Sequence, residues 1–242
     1  MDQVLPTVID TNLGNIFDEN NDNKRMLVID DIPYFWVIPR NGGNSIRYVL
    51  SYCFKSVLAC EAGSSKEHGE SEVLEVFDED GCRYVNVNTE TSTGIKRAKD
   101  LNLVNSGLAY AVFSSRLNEI ASLFNTDRRA RSFTLLRHPV ERTISEFYQE
   151  QARNPKLALV SLEKYLESNI DNANLETTIS TTLAVGEDNY IARSLVNKPI
   201  AELTSYDLDL AMLMLKKKLI GLVDEMEEGW FLCWGRFFIV SP

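Results

Sequence analysis

The stretch from Ser132 to Tyr148 constrains the fold most, because it changes abruptly from the pattern of a buried strand to that of a helix. Residues 132–136 are largely apolar, as in a central strand of a covered sheet. Pro139 suits the first turn of a helix, because its fixed φ matches the helix and its missing N–H is not needed there. The stretch predicts a strand joined directly to a helix, the repeating unit of α/β folds. The helix face that follows is apolar at helical spacing, with Val140, Ile144 and Phe147.

Two polar residues of this stretch predict an anion-binding site. Arg137 stands at the carboxyl end of the predicted strand, and Ser145 lies further along the helix. Open α/β sheets place their ligands at such junctions. A guanidinium, a helix N-terminus and a hydroxyl group together favour a phosphate-like ligand. A basic solvated surface is the alternative interpretation of the arginines at residues 128–142, and the residues alone leave both open.

A second strand-to-helix junction comes earlier in the chain. Residues 34–38 are aromatic and β-branched and predict a strand, and Ile46 opens an apolar helical stripe that extends to Val57. Two glycines in the intervening turn let backbone N–H groups approach an anion, and the helix dipole adds to the attraction. A plain tight turn is the alternative interpretation. The candidate binding residues of this turn are Arg40, Asn41, Gly42, Gly43, Asn44 and Ser45.

The whole pattern predicts one α/β domain over residues 33–242, preceded by a poorly ordered acidic segment at residues 1–32. Strands and helices alternate, which favours a parallel sheet covered by helices on both faces. Residues 61–81 are polar and predict a surface loop, and the lysines at 216–218 are expected to complement a helix C-terminus. Further strands are predicted at residues 83–87, 109–113 and 219–223. Further helices are predicted at residues 95–103, 116–124, 161–166, 188–196, 206–218 and 225–238.

Composition argues against several functional classes. The formal net charge of −10 and the pI near 4.8 argue against a general nucleic-acid binder. No apolar run reaches the roughly 18 residues that cross a bilayer, so no membrane-spanning segment is predicted. The four cysteines form no CxxC pair, and no metal site is predicted. Either a disulfide or two reduced thiols fits the positions of Cys60 and Cys82.

Four segments, in chain order, resemble those of sulfotransferases. The loop Pro39-Arg-Asn-Gly-Gly-Asn-Ser45 resembles their 5′-phosphosulfate loop, usually Pro-Lys-Thr-Gly-Gly-Thr-Ser/Thr. The segment Leu136-Arg-His-Pro-Val-Glu-Arg-Thr-Ile-Ser145 resembles their 3′-phosphate motif, usually Leu-Arg-Asp-Pro-x-x-Arg-x-x-Ser. A helix and a late strand of the carbohydrate group resemble Asp188-Asn-Tyr-Ile-Ala-Arg193 and Leu219-Ile-Gly-Leu-Val-Asp-Glu225. The chain is similar to Golgi-type carbohydrate sulfotransferases of the heparan sulfate 2-O-sulfotransferase-like group, which includes algal members.

This resemblance implies a P-loop-like three-layer domain. Such a protein transfers a sulfuryl group from 3′-phosphoadenosine 5′-phosphosulfate (PAPS) to a hydroxyl or amine of a carbohydrate, without a metal. The backbone of residues 42–45 is expected to hold the 5′-phosphosulfate. Arg40 is expected to neutralise charge on the bridging oxygen, while Arg137 and Ser145 bind the 3′-phosphate.

Three further residues keep two interpretations each. Asn189 and Arg193 either line the same cleft or brace their helix against the sheet. Arg142 either joins the 3′-phosphate site or pairs with Glu146 on the helix surface. The spacing of Arg142 and Glu146 favours the pairing.

The chain departs from the family pattern in its ionisable residues. Arg40 replaces the loop lysine, and His138 replaces the motif aspartate. Leu108 stands where relatives often carry a histidine that acts as the general base. Glu90, Glu119 and His138 remain as candidates for that base.

The resemblance leaves two alternatives to an active enzyme. A catalytically degenerate homologue that binds nucleotide fits the missing base. A P-loop nucleotide kinase is disfavoured, because residues 42–45 lack the Gly-Lys-Ser/Thr that holds a nucleotide triphosphate and magnesium. The family commonly has an N-terminal membrane anchor and works in the Golgi lumen. This sequence shows no such anchor and departs from the family pattern after residue 229, so a shortened or truncated chain is expected.

Overall fold

The computed structural model describes residues 6–14, 31–64, 71–165, 189–198 and 202–225. The chain forms two compact units. The first unit comprises Met1–Leu136 and Ala192–Pro242, and the second comprises Arg137–Ile191.

An eight-stranded sheet is the centre of the first unit. The order along the sheet is β1-β7-β2-β6-β3-β5-β4, and β8 also pairs with β7. Every pairing is parallel except that of β4 with β5. The predicted α/β class, with a mostly parallel sheet flanked by helices, is confirmed. The strands are β1 (Leu13–Gly14), β2 (Ile32–Trp36), β3 (Val57–Ala59), β4 (Val76–Glu79), β5 (Cys82–Val85), β6 (Ala111–Ser114), β7 (Ala130–Leu136) and β8 (Leu219–Leu222).

Among the described residues, the helices are mostly short and the longest is α6 of the second unit. A π-helix, Val49–Cys53, continues directly from α2. Single 3₁₀ turns occur at Glu61–Ser64, Ala121–Leu123, Pro155–Leu157 and Val223–Glu225. The α-helices are α1 (Thr7–Asn12), α2 (Gly43–Tyr48), α3 (Ser92–Asp100), α4 (Leu103–Ser106), α5 (Leu117–Ile120), α6 (Pro139–Arg153), α7 (described over residues 162–165), α8 (Tyr190–Val196) and α9 (Ser205–Lys216).

Three phenylalanines from adjacent strands form the centre of the core on one face of the sheet. The ring centroid of Phe35 lies 5.1 Å from that of Phe113 and 4.9 Å from that of Phe133. Ile46 and Leu50, from α2 and the π-helix, belong to the same buried cluster. Burial of each such side chain contributes about 1.5–3 kcal/mol. The helix that follows β2 is therefore held against the sheet by its apolar stripe, as its sequence predicts.

The sequence prediction was wrong about part of the acidic loop at 61–81. Within it, β4 forms an antiparallel hairpin with β5, and Phe77 is buried. The two hairpin residues Asp80 and Gly81 have φ values of 52° and 77°. Positive φ at both positions is the geometry that Asp-Gly favours in a two-residue hairpin. This local signal was present in the sequence, but the many acidic residues around it concealed the strand.

The predicted helix from Ile46 to Val57 ends earlier than expected. The π-helix stops at Cys53, and Lys55 adopts a left-handed conformation with φ 54°. Val57 then begins β3, whose Leu58 is fully buried. Apolar spacing alone does not separate the end of a buried helix from a short buried strand.

Lys218 also differs from the expectation for the triple lysine. It lies immediately before β8, is 3% exposed, and its Nζ donates to the Oγ of Ser132 at 3.1 Å. Burial lowers the pKa of Lys218 to about 7. Lys217 forms an ion pair of 2.8 Å with Asp10 of α1. Lys217 and Lys218 thus contact other residues of the first unit.

Part of the predicted lead-in at residues 1–32 is structured. α1 and β1 occupy Thr7–Gly14, and β1 pairs with β7 through Leu13, which is fully buried. The predicted last helix lies beyond Glu225, outside the described residues. Asp188, the first residue of the predicted helix 188–196, also lies outside them.

The second unit is built on α6, which begins at Pro139 as predicted. His138 precedes it with φ −53° and ψ 131°, an extended conformation that the following proline favours. Phe147 is buried, and its ring centroid lies 4.9 Å from that of Tyr165. The strand-to-helix change that the sequence predicts at Leu136 is therefore confirmed.

Three cysteines are described, and their thiols are free. Cys60 and Cys82 are buried, and Cys53 is exposed. In the described ranges, none of the helices has both the length and the apolar character needed to cross a membrane.

Candidate functional site

The strand order places a topological switch point at β2. From β2 the chain passes through α2 to β3, and β6 later fills the position between these two strands. The chain then crosses to the opposite side of β2 to form β7. Open α/β sheets bind ligands outside the carboxyl ends of the strands at such a point. We therefore expect a ligand to bind at the turn that follows β2.

This turn, Val37–Gly42, has an irregular but hydrogen-bonded backbone. The N–H of Asn41 donates to the carbonyl of Ile38 at 3.2 Å. The N–H of Ser45 donates to the carbonyl of Gly42 at 3.0 Å. Arg40 and Gly42 both adopt left-handed conformations, with φ values of 67° and 77°. Glycine tolerates this conformation, but for arginine it is strained.

Close packing also favours glycine at the first position of α2. A Cβ on Gly43 would lie 3.2 Å from Cε1 of Phe35 and 3.6 Å from Cγ1 of Val37. The helix start therefore packs closely on the end of β2, while Asn44 and Ser45 are exposed. The first N–H groups of a helix have no partners within the helix. The first turn of α2 therefore carries such N–H groups beside the exposed residues Asn44 and Ser45.

The predicted loop residues do not all point to one place. The side chain of Asn44 accepts a hydrogen bond of 3.0 Å from Nη2 of Arg47. Asn41 points inward and is 1% exposed, and its Nδ2 donates to the carbonyl of Leu135 on β7 at 2.9 Å. The loop thus offers backbone groups and Arg40 to a ligand, and it uses Asn41 to contact the neighbouring strand.

Glu90 precedes α3 in the chain. In space it contacts the carboxyl end of β6, the strand next to β2. One of its carboxylate oxygens accepts 2.6 Å from the Oγ of Ser115, and the backbone N–H of Ser115 lies 3.0 and 3.1 Å from the two oxygens. Burial raises the pKa of Glu90, and the negative charge of Glu61 adds to the rise, while the bonds from Ser115 oppose it. A carboxylate with a raised pKa at a strand end suits a general base.

Arg116 holds Glu90 and Glu119 in different ways. Its Nε donates to the backbone carbonyl of Glu90 at 2.7 Å, and its Nη1 forms a 2.6 Å ion pair with Glu119. Burial alone would raise the pKa of Glu119, but hydrogen bonds from Ser92 and Arg116 outweigh it and the pKa is lowered. Glu119 is therefore a weaker candidate base than Glu90.

The sequence did not single out Glu61, which follows the end of β3. Its Oε1 lies 2.5 Å from Nη1 of Arg47 on α2. The missed signal was the apolar run at residues 57–60, whose first residue, Val57, the apolar spacing assigned to the end of a helix. As a strand, that run would have placed Glu61 at the same carboxyl edge as the loop.

In the second unit, the residues expected to bind a 3′-phosphate lie at the start of α6. The Nε of Arg137 is 3.8 Å from a carboxylate oxygen of Glu141, at the outer limit of an ion pair. Ser145 is half-buried on the next turns of the helix. His138 is exposed before the helix starts.

The favoured pairing of Arg142 with Glu146 stays a prediction, and the contact that the structure shows for Arg142 is with an aromatic ring. Its guanidinium carbon lies 5.4 Å from the ring centroid of Tyr190, a distance that permits a cation–π interaction. Glu146 is buried, with 5% of its surface exposed. Asn189, which precedes α8, is exposed and has φ 58°.

Two further residues of the predicted motifs lie in the first unit. The Nη1 of Arg193 lies 3.5 Å from the carbonyl of Lys198, beyond the end of α8, and this local contact leaves both interpretations of Arg193 open. A Cβ on Gly221 would lie 2.8 Å from Cδ2 of Leu135. The glycine of the predicted late strand therefore allows β8 to pack closely on β7.

Comparison with known protein families, with curated proteins and with solved structures finds no match to this chain. Among the described residues, no group of three or more His, Cys, Asp or Glu is placed to hold a metal ion. Function is therefore inferred from the chemistry of the two junctions and of Glu90.

Proposed function

We propose that this protein is a sulfotransferase that uses PAPS as its sulfuryl donor and a hydroxyl or amine of a carbohydrate as its acceptor. We also propose that its α/β domain is of the P-loop-like type. The observation that carries the proposal is the position of the glycine-containing turn. It follows the central strand β2 at the topological switch point and leads directly into a helix.

The turn supports binding of the 5′ end of the donor. The backbone N–H groups of residues 42–44 hold the 5′-phosphosulfate, with Gly42 supplying the left-handed conformation of the turn. Arg40 neutralises the negative charge that develops on the bridging oxygen. A left-handed arginine stores strain, and such strain is concentrated at functional sites. Arg40 is therefore the residue of this turn whose backbone conformation is least favourable for its residue type.

The start of α6 supports binding of the 3′-phosphate. Arg137 provides a planar pair of donors that matches a phosphate, and Ser145 adds a hydroxyl donor. Replacement of the usual aspartate by His138 removes an anion from this segment. His138 is a less suitable base than Glu90, because it is exposed and precedes the helix.

Glu90 completes the proposed chemistry. When bound, PAPS supplies a sulfuryl group whose bond to the phosphate oxygen breaks during transfer. Glu90 accepts the proton from the acceptor hydroxyl as that oxygen forms its bond to sulfur, and the released nucleotide keeps both phosphates. The raised pKa of Glu90 brings the carboxylate closer to the pH at which a base works best.

The proposal is tested first by calorimetric titration of the full chain with 3′-phosphoadenosine 5′-phosphate, with and without magnesium. A sulfotransferase binds this nucleotide equally well in both conditions. A requirement for magnesium together with a preference for ATP would instead identify a nucleotide kinase. Absence of binding in both conditions would sink the proposal.

A second candidate function is a degenerate homologue that binds the nucleotide and does not turn it over. The observation that favours it is Leu108, which stands where a histidine base is expected. A transfer assay with sulfur-labelled donor over a panel of glycans separates the two. If the chain is active, Glu90→Gln loses about 100-fold or more of the turnover while nucleotide affinity is kept. Glu79→Gln, on the exposed side of the β4–β5 hairpin, is the matched control and keeps most of the turnover.

A further inference from the structure

Asn41 joins the turn after β2 to the neighbouring strand β7. The strand pairing between β2 and β7 extends as far as Phe35 and Phe133. Beyond that pair, the Nδ2 of Asn41 donates to the carbonyl of Leu135 at 2.9 Å. Leu135 is separated from Arg137 only by Leu136. The turn is thereby fastened to the strand that leads into the second junction.

The amide of Asn41 is only half satisfied. Its Oδ1 is buried and accepts no hydrogen bond from the described part of the chain. A buried acceptor without a donor costs free energy, whereas an apolar residue of the same size avoids that cost. The gain in stability from Asn41 is therefore small, and stability alone does not explain an asparagine here.

Asn86 shows what an asparagine with a structural role looks like in the same unit. It is fully buried, its Nδ2 donates to the carbonyl of Val73 at 3.0 Å, and its Oδ1 accepts from the N–H of Glu75 at 2.9 Å. Both ends of its amide are used, and together they fix the segment before β4. Asn41 shares the burial and the donor bond but not the second bond.

We propose that Asn41 is a positioning residue that holds the glycine-containing turn in register with the carboxyl end of β7. This inference rests on the proposed function, because the turn is taken to hold the 5′-phosphosulfate of the donor. Without the bond from Asn41, the turn keeps its glycines and Arg40 but is no longer fixed to β7. A ligand with a 5′-phosphate then binds less well, and a ligand without one is affected less.

The test compares Asn41→Leu with Asn86→Leu in the full chain. Calorimetry measures affinity for 3′-phosphoadenosine 5′-phosphate and for adenosine 3′-phosphate, which lacks the 5′-phosphate. Asn41→Leu should weaken the first ligand about tenfold and the second about threefold or less, with little change in the thermal midpoint. Asn86→Leu should lower the thermal midpoint and leave both affinities unchanged. Equal losses for the two ligands in Asn41→Leu, or a lower midpoint with unchanged affinities, would overturn the proposal.

Hydrogen exchange of the protein without ligand decides the inference separately. In Asn41→Leu, the amides of Ser45 and Ile46, which donate to Gly42, should exchange several-fold faster, while those of β2 should not. Unchanged exchange at the turn would show that Asn41 does not hold it. If the wild-type chain bound neither nucleotide, the proposed function would fail, and the exchange rates would still show whether Asn41 holds the turn.

Discussion

The chain leaves β2 and β7 in two different ways. After β2, residues 37–42 form an irregular turn in which Arg40 and Gly42 are left-handed before α2 begins. After β7, only Arg137 and His138 precede the proline that starts α6. The first junction is built from unusual backbone conformations, and the second from ordinary backbone with ionisable side chains.

This difference predicts opposite sensitivities to mutation. A junction that presents backbone N–H groups depends on the residues that set its φ values and tolerates changes of exposed side chains. A junction that presents a guanidinium and a hydroxyl depends on those side chains and tolerates changes that keep the helix. If both junctions hold phosphate groups of one donor, each should lose affinity through its own kind of substitution.

The largest effect is expected at the second junction. Arg137→Ala should weaken binding of 3′-phosphoadenosine 5′-phosphate by about 1.5–3 kcal/mol, the range for a hydrogen bond to a charged group. Binding of adenosine 5′-phosphate should hardly change, because it has no 3′-phosphate. Both affinities are measured by calorimetry. Arg153→Ala, in the last turn of the same helix, is the control and should change neither. Equal losses for the two nucleotides would show that Arg137 does not read the 3′-phosphate.

At the first junction, Gly42→Ala tests the backbone. The φ of 77° is costly for alanine, so the free energy of unfolding should fall by about 1 kcal/mol. Nucleotide affinity should fall as well, because the turn presents its N–H groups through this conformation. Gly107→Ala is the matched control, since Gly107 has φ 69° and the nearest atom to its Cβ position is Nη1 of Arg128, at 4.0 Å. The comparison of the two junctions fails if both variants lose stability and neither loses affinity.

The parts of this site that depend on neighbouring residues could be predicted from the sequence. The turn before Ser45 and the helix start at Pro139 follow from glycine, proline and local apolar spacing, and the structure confirms them. The contacts that join distant segments could not be predicted. Asn41 and Leu135 are 94 residues apart, and Glu90 and Ser115 are 25 apart. No local pattern specifies such pairs, because they depend on which strands become neighbours.

Two features show how composition conceals structure. The β4–β5 hairpin carried an Asp-Gly turn signal, yet its acidic residues suggested a loop. Lys218 belonged to a run of lysines that suggested a solvated helix end, yet it is buried beside the rings of Tyr34 and Trp36. In both cases the packing of the surrounding elements outweighed the polarity of the segment.

A smaller effect separates the backbone of Arg40 from its side chain. Arg40→Gly and Arg40→Ala both remove the guanidinium, and both should weaken nucleotide binding to the same extent. Only glycine relieves the left-handed conformation, so Arg40→Gly should be more stable than Arg40→Ala by up to about 1 kcal/mol. Chemical denaturation measures the difference. Equal stabilities would mean that the turn relaxes and that Arg40 stores no strain.

At the carboxyl end of β6, backbone and side-chain groups both contribute. Glu90 accepts hydrogen bonds there from the backbone N–H and from the side chain of Ser115. Burial raises the pKa of Glu90 in the folded protein, so the folded state binds its proton more tightly than the unfolded state does. The contribution of Glu90 to stability is therefore most favourable below its unfolded pKa and falls as pH rises through the folded pKa.

Glu90→Gln removes this dependence, so its stability relative to the wild type should improve from pH 4 to 7, measured by denaturation at each pH. Glu119→Gln should show the opposite trend, since hydrogen bonds from Ser92 and Arg116 lower the pKa of Glu119 against the effect of burial. The same slope in both variants would rule out distinct environments for the two carboxylates.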